Sequence, residues 1–410
     1  MPVGAARKTL ALACAGALMA VALGACSSDE GDDPAGPTAG PDDGGAVTSD
    51  VAEDTGEDTG TQDAAAESDA AGSDAAGTDA AGADAAGETG APDSTATSAP
   101  PEAAYNPDLP APPGELVDVD GHTMHLYCAG EGSPTVLLDA GLGDTSVNFW
   151  PLQAQLTGTV RVCSYDRAGY GWSQPGPEPR SIDQIVTELG TLLDNADEEG
   201  PFVLVGHSFG GLTMLAFAQA NPEDTAGVVL VDSSHPNQGQ ALAAVPAVVA
   251  VQEAEIAGLA RLATAIEAGV SGPDELRSAA PELPSKAREL WALHRAQPES
   301  LETAVAEYAA LEEGMAAVGG PGALGDTPLV VIARGIGLEG QLPPEALGSV
   351  GLTPEVLDRF DTIWRGLQED LLTLSSNSEL VVAEDSTHYV YLDEPDVVLA
   401  AIEQVLAESS

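Results

Sequence analysis

The sequence predicts an α/β fold, a mostly parallel sheet flanked by helices, over residues 105–410. Three observations lead there. Short β-branched runs alternate with longer helical stretches. Several runs, such as Val203–Val205 and Val228–Val231, are apolar throughout, which suits strands buried on both faces. The run Phe202–Gly206 also passes through a Gly-rich turn at Ser208 straight into an apolar helical stretch.

In chain order, the expected strands are Leu116–Val119, Thr123–Tyr127, Thr135–Asp139, Arg161–Tyr165, Phe202–Gly206, Gly227–Val231, Leu329–Ala333 and Glu379–Ala383. The expected helices are Val147–Leu156, Ser181–Asn195, Phe209–Ala220, Pro354–Leu374 and Pro395–Ala407. Between Pro236 and Thr327 the rhythm changes. About 90 residues carry no strand pattern, and Ala, Leu and Glu dominate. This segment is expected as a helical cap inserted between strands six and seven. Its Leu, Ala and Trp291 side chains predict an apolar, water-excluding pocket. The alternative is a helical bundle that only stabilises the sheet edge.

The residues before this domain read differently. Residues 1–25 have a basic start at Arg7 and Lys8, then an apolar run ending Leu23-Gly24-Ala25-Cys26. That is the order of a signal peptide, and the apolar run is short for a membrane span. The ending resembles a bacterial lipoprotein signal, which implies lipidation of Cys26. The expected location is then the outer face of a bacterial membrane, with the protein anchored through that lipid. The alternative is an ordinary secretory signal cut near Ala25. Residues 26–104 form an expected disordered linker. From Ser27 to Ala104 there are 20 Asp and Glu and no Lys, Arg or aromatic residue, including a DAAG-type repeat over Asp69–Glu88. So little apolar surface cannot offset the entropy of ordering.

Charge excludes further classes. The chain has 66 Asp+Glu against 13 Lys+Arg, a net charge of −53. It lacks the basic surface that nucleic acid requires, so no nucleic-acid partner is expected. Attraction to anionic lipid headgroups is excluded on the same ground. Residues 105–410 alone carry −35, from 46 acidic and 11 basic residues. A domain so charged repels anionic substrates, which leaves neutral or cationic ones.

The chemistry concentrates in Gly206-His207-Ser208-Phe209-Gly210, a G-x-S-x-G pattern between a buried strand and a helix. A serine there sits on a tight turn, facing the positive end of the following helix. The two glycines allow neighbouring chain to pack closely around it.

With these residues in view, the domain resembles the α/β-hydrolase family. Three further stretches fit: Val136–Gly143, Tyr165–Ser173 and Asp385-Ser386-Thr387-His388. The resemblance implies Ser208 as nucleophile, His388 as base, and an oxyanion hole from the backbone N–H groups of Leu142 and Phe209. The family often has His-Gly at the oxyanion turn, where this chain has Ala140-Gly141. The usual acid position after the seventh strand, Leu329–Gly337, has no carboxylate. Asp232, at the end of strand six, is therefore the expected acid, with Glu339 as the alternative. Asp385 is read as a turn carboxylate.

Strands bearing Cys128 and Cys163 are neighbours in the family's order. An exported chain permits their disulfide; the alternative is two small buried thiols. No metal-ligand spacing or phosphate-binding loop occurs, and no cofactor is expected. The predicted activity is serine-dependent cleavage of a small carboxylic ester with an apolar acyl group. Amide, C–C or lactone hydrolysis, acyl transfer, and an inert scaffold are the alternatives.

Overall fold

A computed structural model describes residues 109–409, apart from 278, 279, 282, 316, 317, 342 and 343. The expected signal segment, Cys26 and the expected linker lie outside the described residues. No helix among the described residues is long and apolar enough to cross a membrane.

Eight strands form one sheet: β1 Glu115–Val119, β2 His122–Ala129, β3 Thr135–Asp139, β4 Val162–Tyr165, β5 Phe202–His207, β6 Thr225–Val231, β7 Leu329–Arg334 and β8 Ser378–Ala383. The spatial order is β1-β2-β4-β3-β5-β6-β7-β8. β2 runs antiparallel to both of its neighbours, and β4, β3, β5, β6, β7 and β8 pair in parallel. All eight expected strands are present. Central strands β3, β5 and β7 are buried at every position, which explains their unbroken apolar runs.

The helices are α1 Trp150–Leu156, α2 Ile182–Asn195, α3 Phe209–Ala220, α4 Gln238–Leu242, α5 Pro246–Glu267, α6 Pro273–Arg277, α7 Ser285–Arg295, α8 Pro298–Met315, α9 Leu338–Gln341, α10 Pro344–Ser349, α11 Pro354–Leu371, α12 Val390–Asp393 and α13 Pro395–Glu408. The expected helix from Val147 is split: a 3-10 turn covers Ser146–Asn148, and α1 starts at Trp150 with Pro151 in its first turn. Proline has no N–H to donate, so it is tolerated at a helix start. The expected helix to Leu374 ends α-helical at Leu371 and finishes as a 3-10 turn.

Helices α4 to α8 fill the stretch between β6 and β7, so the insertion falls where the sequence placed it. Two apolar clusters cover the sheet. Leu137, Leu204, Leu230 and Val331 point into one with Leu189 and Leu212. Val136, Val205, Val229 and Ile332 alternate with them and point into the other, against Val398 and Ile402 of α13. A third cluster, with Trp291, Leu290 and Phe360, belongs to the cap and α11.

Cys128 and Cys163 are directly opposite in the β2–β4 pairing and are joined by a disulfide.

Candidate active site

Parallel strands bring their C-terminal ends to one edge of the sheet, and the loops leaving that edge build the site. β5 delivers Ser208, β6 delivers Asp232, β3 leads to Leu142, and the turn after β8 delivers His388.

Ser208 has φ 52° and Asp232 has φ 40°, left-handed values unusual for non-glycine residues. Backbone bonds hold both. Ser208 N–H donates to Val231 O at 3.1 Å, Ser234 N–H to Ser208 O at 2.9 Å, and Asp232 N–H to Ile332 O at 2.7 Å. The turn also needs its glycines. A Cβ on Gly206 would strike Gly210 and Gly211, and one on Gly210 would strike the Asp139 carbonyl.

His388 Nδ1 lies 2.6 Å from Asp232 Oδ2. The carboxylate accepts, so Nδ1 carries the proton and Nε2 of the neutral ring keeps a lone pair. Nε2 is buried and has no hydrogen-bond partner among the described residues. Asp232 also accepts from Arg334 Nη1 at 2.8 Å, Trp364 Nε1 at 2.8 Å and the Arg334 N–H at 3.3 Å. Burial alone would raise this carboxyl. The Arg334 guanidinium, with His388 and Trp364, outweighs burial and holds it well below the usual carboxylate range.

His207 supports His388 from beside the serine. Its Nε2–H donates to the His388 carbonyl at 3.0 Å, and the two rings lie 4.5 Å apart. Burial, and then the neighbouring His388, push His207 well below its ordinary pKa, so it is neutral. Glu339 lies exposed in α9, and the His388 nitrogen it could have served is taken by Asp232. Asp385 is exposed, with its N–H donating to Glu394. Three of the remaining histidines have hydrogen-bond partners, His125 with Asp166, His235 with Asp370 and His294 with Thr145, and His122 lies 3.8 Å from Glu188.

The turn carrying Leu142 is held by arginines that sequence reasoning did not single out. Arg167 donates to the Ala140 carbonyl at 2.6 Å and the Gly141 carbonyl at 3.0 Å. It also pairs with Asp139 at 2.8 Å and with Glu307 of α8 at 3.0 Å. Arg295 of α7 donates to the Gly143 carbonyl at 2.9 Å, and Gly143 has φ +75°. The turn without the family's histidine is thus tied by guanidinium groups, two of whose anchors lie in the cap. The Tyr165–Ser173 motif was the available signal for Arg167; its partner Glu307 is 140 residues away.

Ser208, Leu142 and Phe209 share the wall of one small cavity, about 30 Å³, with Ile256 and Leu311. The cavity is mostly apolar, as expected from the cap, but Gln252, Glu255 and Tyr308 also line it. Trp291 is not in its wall; it packs within the cap and donates to Asp144 at 3.2 Å. A larger groove, about 790 Å³, lies beside Trp150, Trp172 and Lys286. None of Ser208, Asp232 or His388 lines it, so the chemistry points to the smaller cavity.

Residues 136–401 match the model of the alpha/beta hydrolase family, and the chain belongs to that family. It is 27% identical to the uncharacterised protein YqjL of Bacillus subtilis, over 70% of this chain and 89% of that one. It is 34% identical to the lipase LipV of Mycobacterium tuberculosis over 109 residues, 27% of this chain and 41% of the lipase. Among solved structures, it resembles a probable hydrolytic enzyme of Pseudomonas aeruginosa PAO1 with a TM-score of 0.52. That likeness, at 15% identity over 74% of this chain and 96% of that one, is one of fold.

Proposed function

We propose that the protein is an exported serine hydrolase that cleaves small carboxylic esters, neutral or cationic, through Ser208, His388 and Asp232. The observation that carries this reading is the 2.6 Å His388–Asp232 contact, which leaves Nε2 of His388 without a partner among the described residues, together with a serine on a strained turn at the end of β5.

Ser208 Oγ attacks the ester carbonyl carbon while its proton passes to His388 Nε2. The carbonyl π bond opens to an oxyanion, which the N–H groups of Leu142 and Phe209 receive. Each such donor is worth roughly 3–4 kcal/mol in the barrier. Asp232, ionised throughout, stabilises the imidazolium. The C–O bond to the leaving alcohol then breaks, and His388 returns the proton to it. Water repeats the sequence on the acyl enzyme, releasing the acid and restoring Ser208. The chemistry requires no metal or cofactor.

Leu142, Phe209, Ile256 and Leu311 suit a short hydrocarbon acyl group. The relationship to a lipase supports ester cleavage. The −35 charge of residues 105–410 supports the exclusion of anionic substrates. Location rests on the sequence alone: lipidated Cys26 anchors the enzyme to the outer face of a bacterial membrane, and the acidic linker 26–104 holds it away from the surface.

A fluorophosphonate probe tests the reading. Wild type should take a covalent adduct and Ser208→Ala none. An unlabelled wild type would favour an inert scaffold and overturn the proposal.

A further inference from the structure

The cavity beside Ser208 contains a carboxyl that this mechanism does not use. Glu255 lies on α5, is 2% exposed, and shares a wall with Ser208, Leu142 and Phe209. Neither of its carboxyl oxygens has a hydrogen-bond partner among the described residues. Buried polar groups are ordinarily paired, because an unmet one costs free energy. Other buried acids here follow that rule. Asp139 and Glu307 share Arg167, Asp232 has Arg334, Asp166 has His125 and Glu188 has Arg180.

Among the described residues Glu255 has no such cation. Burial alone pushes its pKa up to about 9, so without a cation beside it the carboxyl is neutral at pH 7. Among the described residues, elements packed against α5 bring one titratable group into the cavity, Tyr308 of α8. On the same helix Glu307 is held by Arg167 and Tyr170. Asp370 of α11 pairs with His235, and α4 carries no titratable side chain.

We infer that Glu255 recognises a cationic nitrogen on the substrate, so that the preferred esters carry an ammonium group within reach of the cavity. The inference rests on the reading of Ser208 as the nucleophile and narrows its substrate class. A cation entering the cavity supplies the missing partner. The carboxyl then gives its proton to solvent, and the ion pair forms where water is scarce and the attraction strong. A neutral ester leaves the carboxyl protonated.

The test compares a trimethylammonium-bearing ester with its neutral tert-butyl isostere, in wild type and Glu255→Gln. The ratio of their kcat/KM values cancels the shared dependence on His388. In wild type this ratio should rise with pH up to about 9, as the carboxylate becomes available. In Glu255→Gln it should be lower by about tenfold or more and flat with pH. Calorimetry of butyltrimethylammonium with Ser208→Ala, in two buffers of different ionisation enthalpy, reads binding without turnover. About one proton should be released per ligand near pH 7, and none when Glu255→Gln is added. An unchanged ratio, or no proton release, would overturn the inference. If neither ester is cleaved, the hydrolase reading fails, while the calorimetry still decides the role of Glu255. Glu255→Gln should melt at or above the wild-type temperature; a large loss would make Glu255 a structural group instead.

Discussion

Asp232 Oδ2 lies 2.6 Å from His388 Nδ1 and 2.8 Å from Arg334 Nη1, so one carboxylate oxygen serves a histidine and a guanidinium together. The arginine keeps the carboxylate charged despite complete burial, and the charged carboxylate fixes the tautomer of the histidine.

Asp232→Asn should therefore lower kcat for ester hydrolysis by about 10⁴, with the wrong tautomer favoured at His388. Glu339→Gln should stay within about twofold, because an exposed side chain without a role changes little. A loss of activity confined to Glu339→Gln would sink the assignment. The same ion pair sets an acid limit. The folded-state pKa of Asp232 lies below its unfolded value, so its contribution to stability is present above about pH 4. It is lost as pH falls below that value. Melting temperatures of wild type should drop more steeply below pH 4 than those of Asp232→Asn.

Arg167 links the turn carrying Leu142 to the cap through Ala140, Gly141 and Glu307. Arg167→Ala leaves Asp139 and Glu307 buried without their cation, which should cost about 3–5 kcal/mol in urea unfolding. Arg167→Lys restores the charge but not the fork that reaches several acceptors. It should recover much of the stability while kcat stays reduced. Full recovery of kcat in the lysine variant would show that charge, rather than placement of the turn, is what Arg167 supplies.

The Cys128–Cys163 bridge spans a sequence separation of 35 residues. On loop-closure entropy alone, it should stabilise the fold by about 3–4 kcal/mol. Reduction, or Cys128→Ser with Cys163→Ser, should lower the melting temperature by several degrees. Two alkylated cysteines in unreduced, freshly purified protein would contradict the bridge.

Local pattern carried much of this protein. The eight strands, helix Phe209–Ala220, and the place of the insertion were readable because burial on both faces enforces continuous apolar runs. Ser208 was readable because a strand, a glycine-flanked turn and a helix follow one another without a gap. Where sequence erred at helix boundaries, the cause was short-range geometry, as at Trp150-Pro151 and Leu371.

Distance in the chain limited the rest. The choice between Asp232 and Glu339 depends on a contact 156 residues long, from His388 to the end of β6. The support of the turn carrying Leu142 depends on Arg167 meeting Glu307 across 140 residues. Glu255 gave no sequence signal at all, since a glutamate in a helix rich in alanine reads as a solvated face. Its burial is decided by how α5 packs against α8, α4 and α11. Local propensity and burial pattern thus determined the sheet, the insertion and the turn at Ser208. Only tertiary packing, which sets the dielectric and the partners of each charge, decided that Asp232 pairs with His388 and that Glu255 is buried.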